Sequence, residues 1–153
     1  MTLNSAKITA GIALGPVLEA FHAIDGQPLT SVAEVYEDGC LTGIVFTFER
    51  NALTVAANAE DDSVELSVTN PSGRPPAHDV SDKEPWVAFI KEPFGWGWLT
   101  FNQQGYCDGV LLSFRGTIPN LVLSVEASSF SIGTISRPRP SRGAGSDGRC
   151  NTI

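Results

Sequence analysis

The chain has little of what most enzyme chemistry runs on. It holds two histidines, His22 and His78, 56 positions apart, and three cysteines, Cys40, Cys107 and Cys150, with no CxxC spacing. That scatter excludes the clustered ligands a zinc site needs and argues against a disulfide framework, so reduced thiols are expected. His22 falls in the first element and His78 in a proline-rich loop, so no local motif ties either to a cysteine as base to nucleophile. Cys107 beside Asp108 carries no weight, because neighbours on a strand face opposite sides. No GxGxxG opens a helix after a strand, and no Walker sequence occurs. The run Glu60-Asp61-Asp62 lacks the alternating ligands and closing glutamate of a calcium loop. No catalytic residue, metal ligand or cofactor is assigned.

Long apolar runs are missing too. No stretch of about 18 uncharged apolar residues is present, so no spanning helix is expected. The N-terminal apolar stretch is broken by Gly11, Gly15 and Pro16 and does not read as a secretory signal. A cytoplasmic protein without a membrane partner is the expectation.

Basic residues are scarce in the body and concentrated in the tail. Residues 1–134 carry six bases against sixteen acids, a net charge of −10; residues 135–153 carry four arginines against Asp147, a net +3. An acidic body repels nucleic acid and attracts a basic partner. The strands over 94–130 hold a single base, Arg115, which removes the reading of an aromatic platform for nucleic acid. Solubility alone is the plainer account of the acidity.

What is present is β-sheet pattern. In VAEVYEDGCLTGIVFTFE, Asp38-Gly39 supplies the positive φ of a two-residue hairpin turn. Ile44, Phe46 and Phe48 then share one face by period two. ALTVAA and SVELSVTN continue the alternation across the acidic turn NAEDDS. Residues 30–70 therefore read as a meander of about four antiparallel strands with one wet face. Upstream, Pro16, Leu18, Phe21 and Ile24 suit a short helix, whereas the DGQP stop and the strands beyond it suit a first strand. Strand is the reading adopted. Ser81 and Glu84 have capping-box spacing and predict a helix over 82–91 that buries Trp86, Phe89 and Ile90.

FGWGWLTFNQQGYCDGVLLSF, residues 94–114, reads as two strands and their turn. Trp96, Trp98 and Thr100 fall on one face, Leu99 and Phe101 on the other. If the latter face the core, the two indoles are covered by the helix or left exposed. Covered, they are core; exposed, they are anchors of the kind that dominate protein interfaces. LVLSVEA follows, and the phase flip at Ser128-Ser129-Phe130 suggests a bulge or bend. After Ile135 the composition turns to Arg, Pro, Gly and Ser.

The expected fold is α+β: a mostly antiparallel sheet of about seven or eight strands, as a roll or open barrel, with one short helix. It forms a single domain over 1–135, and 136–153 is a disordered tail. The order of elements, with VYEDGCLTGIVFTFE and then EPFGWGWLTFNQQGYCDGVLLSF, resembles small uncharacterised bacterial single-domain proteins over roughly residues 15–135. Some of these are similar to immunity proteins of polymorphic toxin systems. That resemblance implies a cytosolic protein that acts by binding another protein.

Three functions follow from these readings. The first is a non-enzymatic inhibitor of a basic protein toxin, with Glu37, Glu60, Asp61 and Asp62 as contacts and Trp96 and Trp98 as anchors. The second is a small-molecule-binding roll or barrel with the indoles lining a pocket. The third is an enzyme with an unrecognised site, for which Cys107, His22 and His78 are the nameable candidates.

Overall fold

The computed structural model describes residues 6–7, 14–71 and 78–136. Its elements in chain order are β1 (Ala6–Lys7), α1 (Leu14–Ile24), β2 (Leu29–Glu37), β3 (Cys40–Phe48), β4 (Ala52–Asn58), β5 (Ser63–Thr69), β6 (His78–Asp79), a 3-10 turn (Trp86–Ala88), β7 (Phe94–Phe101), β8 (Cys107–Phe114), β9 (Leu121–Glu126) and β10 (Ser129–Thr134). One sheet runs β1-β5-β4-β3-β2-β6 and the other β10-β9-β8-β7, every pairing antiparallel. Eight strands have six residues or more; β1 and β6 have two each. The two sheets face one another, with β3 against β10 and β5 against β8, and do not close into a barrel. The mostly antiparallel architecture is the one the alternation predicts. The disordered tail expected at 136–153 lies outside the described residues beyond Ser136.

The meander over 30–70 forms as its pattern dictates. Ile44, Phe46 and Phe48 are buried between the sheets, opposite Phe94 and Phe114. Ring centroids stand 6.1 Å apart for Phe46–Phe114 and 5.9 Å for Phe48–Phe94, within the range where aromatic pairs attract. The outer face is drier than expected at its centre. Ala33, Val45 and Ala52 form a second small buried cluster there, with Val35 packed against it.

Residues 16–24 lie in a helix, α1, which corrects the strand reading. Val17, Ala20, Phe21 and Ile24 fall at the i, i+3, i+4, i+7 spacing of one helical face, and all four are buried. Leu18, which the strand-or-helix argument used, is exposed. Asp25-Gly26 is no strand stop: Gly26 has φ +71° and ends the helix in the left-handed conformation glycine tolerates. Gln27 then fastens this end. Its Nε2 donates to Ala23 O at 2.7 Å and Asn51 Oδ1 at 2.9 Å, and its Oε1 accepts from Arg50 N at 3.0 Å. Gln27–Leu29 also pairs with Glu92–Phe94, joining the two sheets along one corner.

The helix expected over 82–91 is replaced by turns around the 3-10 turn. Ser81 does not cap. Its N and Oγ donate to Asp79 Oδ1, and its Oγ accepts from Val32 N at 2.9 Å, so it serves the β2 edge instead. Pro85 also disfavours α geometry at Glu84. Trp86 and Phe89 are buried even so, while Ile90 is half-buried. The Trp86 indole packs edge-on to Phe46 at 5.7 Å, and its Nε1 donates to Glu34 Oε1 at 2.9 Å. A buried indole N–H thus has its acceptor.

Both glycines of Gly95-Trp96-Gly97-Trp98 mark close approaches. A Cβ at 95 would lie 1.7 Å from Gly116 O, and one at 97 would lie 2.3 Å from Phe21 Cζ. The motif is therefore a packing device for the β8–β9 loop and α1. Phe101 corrects another expectation: after a register shift between Thr100 and Phe101 it is 39% exposed instead of sharing the core face with Leu99. The phase flip at 128–130 is a hairpin, not a bulge. Ala127 and Ser128 both have positive φ, at 49° and 63°, and separate β9 from β10.

Candidate functional site

Strand directions decide which side chains share an end of the sandwich. In the meander, turns 37–40 and 58–63 lie at one end and 48–52 at the other. In the second sheet, turns 101–107 and 126–129 share an end, with 114–121 opposite. The two sheets meet where the 58–63 and 126–129 turns touch: Asp62 Oδ1 accepts from Ser128 N at 2.7 Å and from Ser128 Oγ at 3.1 Å. Turns 37–40, 58–63 and 126–129 therefore gather at one end of the meander.

That end is acidic. It carries Glu37, Asp38, Glu60, Asp61, Asp62 and Glu126, and no lysine or arginine among the described side chains. Arg50, Lys91 and Arg115 lie at the opposite end, where Arg115 makes a bidentate pair with Glu92 at 2.8 and 2.7 Å. Lys83 lies in the segment running along the β2 edge. Some of the acids hold the turns. Asp61 Oδ1 accepts from Ser63 N and Oγ, Asp62 bonds Ser128, and Asp108 Oδ1 accepts from Thr100 Oγ1 at 2.9 Å. Glu37, Asp38, Glu60 and Glu126 are exposed.

The sequence-predicted residues divide accordingly. Glu37, Glu60, Asp61 and Asp62 are brought together at the acidic end. Trp96 and Trp98 are not: they lie further down β7, and Trp96 packs against the main core. Trp96 is half-buried against α1, its ring 5.8 Å from Phe21 and 5.3 Å from His22. Trp98 is half-buried in a cross-strand row with Leu111 and Val122. The cover imagined for them, a helix over 82–91, packs elsewhere. Tyr36 stands exposed at the acidic end, and Phe101 stands exposed at the 101–107 turn beside Asn102, Gln103 and Gln104. The Tyr36 hydroxyl donates to Glu34 Oε2 at 2.6 Å, which holds its pKa above the ordinary tyrosine value. Asp38, Glu126, Tyr36 and Phe101 escaped the sequence reading. Turn parity in an up-and-down sheet would have found Asp38 and Tyr36, since alternate turns of a meander return to the same end.

The nucleophile candidates are apart. Cys107 is buried; burial pushes its thiol up to about 11, and Sγ lies 3.4 Å from Gly109 O. Such a thiol is protonated at pH 7 and is a poor nucleophile. His22 packs on Trp96, and His78 pairs across from Glu34 at the β2 edge. Among the described residues no three His, Cys, Asp or Glu side chains cluster as metal ligands, and no helix is long and apolar enough to cross a membrane.

Residues 16–139 match a protein family of unknown function, DUF6334, and the chain belongs to that family. No curated protein and no solved structure matches it.

Proposed function

We propose that this member of the DUF6334 family is a cytoplasmic, non-enzymatic binder of a basic protein, acting as an inhibitor in the manner of an immunity protein. The observation that carries the reading is the gathering of charge: three turns from two sheets present Glu37, Asp38, Glu60, Asp61, Asp62 and Glu126 at one end, with Arg50, Lys91 and Arg115 at the opposite end. Carboxylates gathered at one end add their fields, and a field of one sign speeds encounter with a cationic surface. Turns 37–40 and 126–129 are two-residue hairpins, and Asp61 and Asp62 are held by Ser63 and Ser128, so little ordering entropy is lost on binding. Exposed Tyr36 supplies amphipathic contact area beside the charges.

Glu60 and Glu126 are exposed and serve no turn, so Glu60→Gln with Glu126→Gln leaves the fold intact. The test is capture of a basic protein from the native host's lysate, then association kinetics of that pair at low and high salt. The double variant should associate roughly tenfold more slowly at low salt and lose much of its salt dependence. An association rate and salt slope equal to wild type refute the proposal.

A further inference from the structure

The outer face of the meander carries a groove of about 220 Å³ near the acidic end, lined by Val35, Glu37, Thr42, Gly43, Val45 and Ala56 among others. Its origin is local. A register shift between Val35 and Tyr36 marks a bulge in the β2–β3 pair, so Thr42 and Gly43 both reach the same depression. Gly43 presents no side chain; a Cβ there would lie 3.3 Å from Val35 Cβ. Ala56, opposite Gly43 across β4, is also small. The floor is thus apolar and low, between taller valines, and the exposed carboxylate of Glu37 stands among its lining residues at the hairpin end.

We infer that this groove is a docking subsite for one lysine or arginine side chain of a protein partner, its aliphatic stem on Val35, Val45 and Ala56 and its cationic head at Glu37. The inference rests on the reading of the protein as a binder of basic proteins and deepens it. Charge complementarity selects the occupant. A purely apolar side chain would leave the carboxylate unmatched, and an acidic one would be repelled by Glu37 and Asp38. Long basic side chains carry an apolar stem and a charged tip in one unit, which is the pairing this groove offers. The methylenes gain burial and the head gains an ion pair partly shielded from water.

The test is methyl NMR of the full chain, titrated with acetyl-arginine methylamide, its neutral citrulline counterpart and the leucine counterpart. Methyls of Val35, Val45 and Ala56 should shift saturably with the arginine compound and at least fivefold less with the other two. Glu37→Gln should weaken the response at least fivefold, and Ala56→Leu, which fills the groove while keeping the charge, should abolish it; unshifted methyls of Ile44 and Leu53 report that the core is intact. Equal shifts from the citrulline or leucine compound, indifference to Glu37→Gln, or no shift at all overturns the inference. The two proposals separate with the basic partner: if Glu37→Gln and Ala56→Leu leave its affinity unchanged while the Glu60/Glu126 variant slows association, the groove falls and the acidic end stands. If none of the variants matters, both fall.

Discussion

Gly97→Ala is the substitution whose effect the packing defines most sharply. The added Cβ would lie 2.3, 2.5 and 2.7 Å from three ring atoms of Phe21. Carbon atoms in contact sit about 3.5–4.0 Å apart, so the ring must retreat by more than about 1 Å. It has little room to do so. Phe21 is 1% exposed, with the Phe94 and Trp96 rings at 5.9 and 5.8 Å. Overpacking of a tight core costs about 1–3 kcal/mol, and losing a buried phenylalanine costs about 3–5 kcal/mol. Alanine's smaller backbone entropy loss returns under about 1 kcal/mol. The net expectation is a loss of about 2–4 kcal/mol, read from the midpoint of urea unfolding followed by tryptophan fluorescence. Phe21→Leu in the Gly97→Ala background makes the argument specific. A shorter side chain relieves the clash, so Gly97→Ala should cost at least about 1 kcal/mol less there than in wild type. A Gly97→Ala loss below about 0.5 kcal/mol, the range of an ordinary surface change, or additivity in the double variant, refutes the docking of α1 onto β7.

The Cys107 thiol gives a pH dependence with a definite sign. Its folded pKa of about 11 lies above the ordinary 9, so the folded state holds this proton more tightly. Its contribution is fully present below pH 9 and is lost as pH rises towards 11, by about 2 kcal/mol at the upper end. Stability curves of wild type and Cys107→Ala should therefore converge over that window; parallel curves contradict the burial argument. At the acidic end, Asp62→Ala removes the acceptor for both Ser128 donors and should cost about 2 kcal/mol. Asp62→Asn, which keeps an oxygen and tolerates φ +53°, should cost under about 1 kcal/mol. Equal losses from the two would mean that the Ser128 contact does not hold the sheets in register.

Period-two alternation made the strands legible because a sheet buries every second residue whatever its neighbours do. Ile44, Phe46 and Phe48 needed nothing but their own spacing, and Asp38-Gly39 needed nothing but the backbone preference of its turn. The failures lie where a residue had a local and a distant use. Ser81 has capping-box spacing, yet its hydroxyl bonds Val32 and Asp79. Gly26 looked like a strand stop and is a helix cap. Trp96 and Trp98 share a face in sequence, but only Trp96 meets α1. The site was partly legible in the same sense: the sequence offered Glu37, Glu60, Asp61 and Asp62 as charges, without any reason for them to be neighbours.

The alternation and turn chemistry of this chain, acting over a few residues, determined by themselves that it would form an antiparallel meander with hairpins at fixed places and an acidic surface. Which turns meet, and therefore where the acidity gathers, is decided by the stacking of two sheets. That stacking is fixed by contacts such as Asp62–Ser128, Phe21–Gly97 and the backbone pairing of Gln27 with Phe94, between residues 66, 76 and 67 positions apart. Such contacts leave no periodic trace in a sequence, because a contact across the core depends on three-dimensional proximity and not on spacing along the chain.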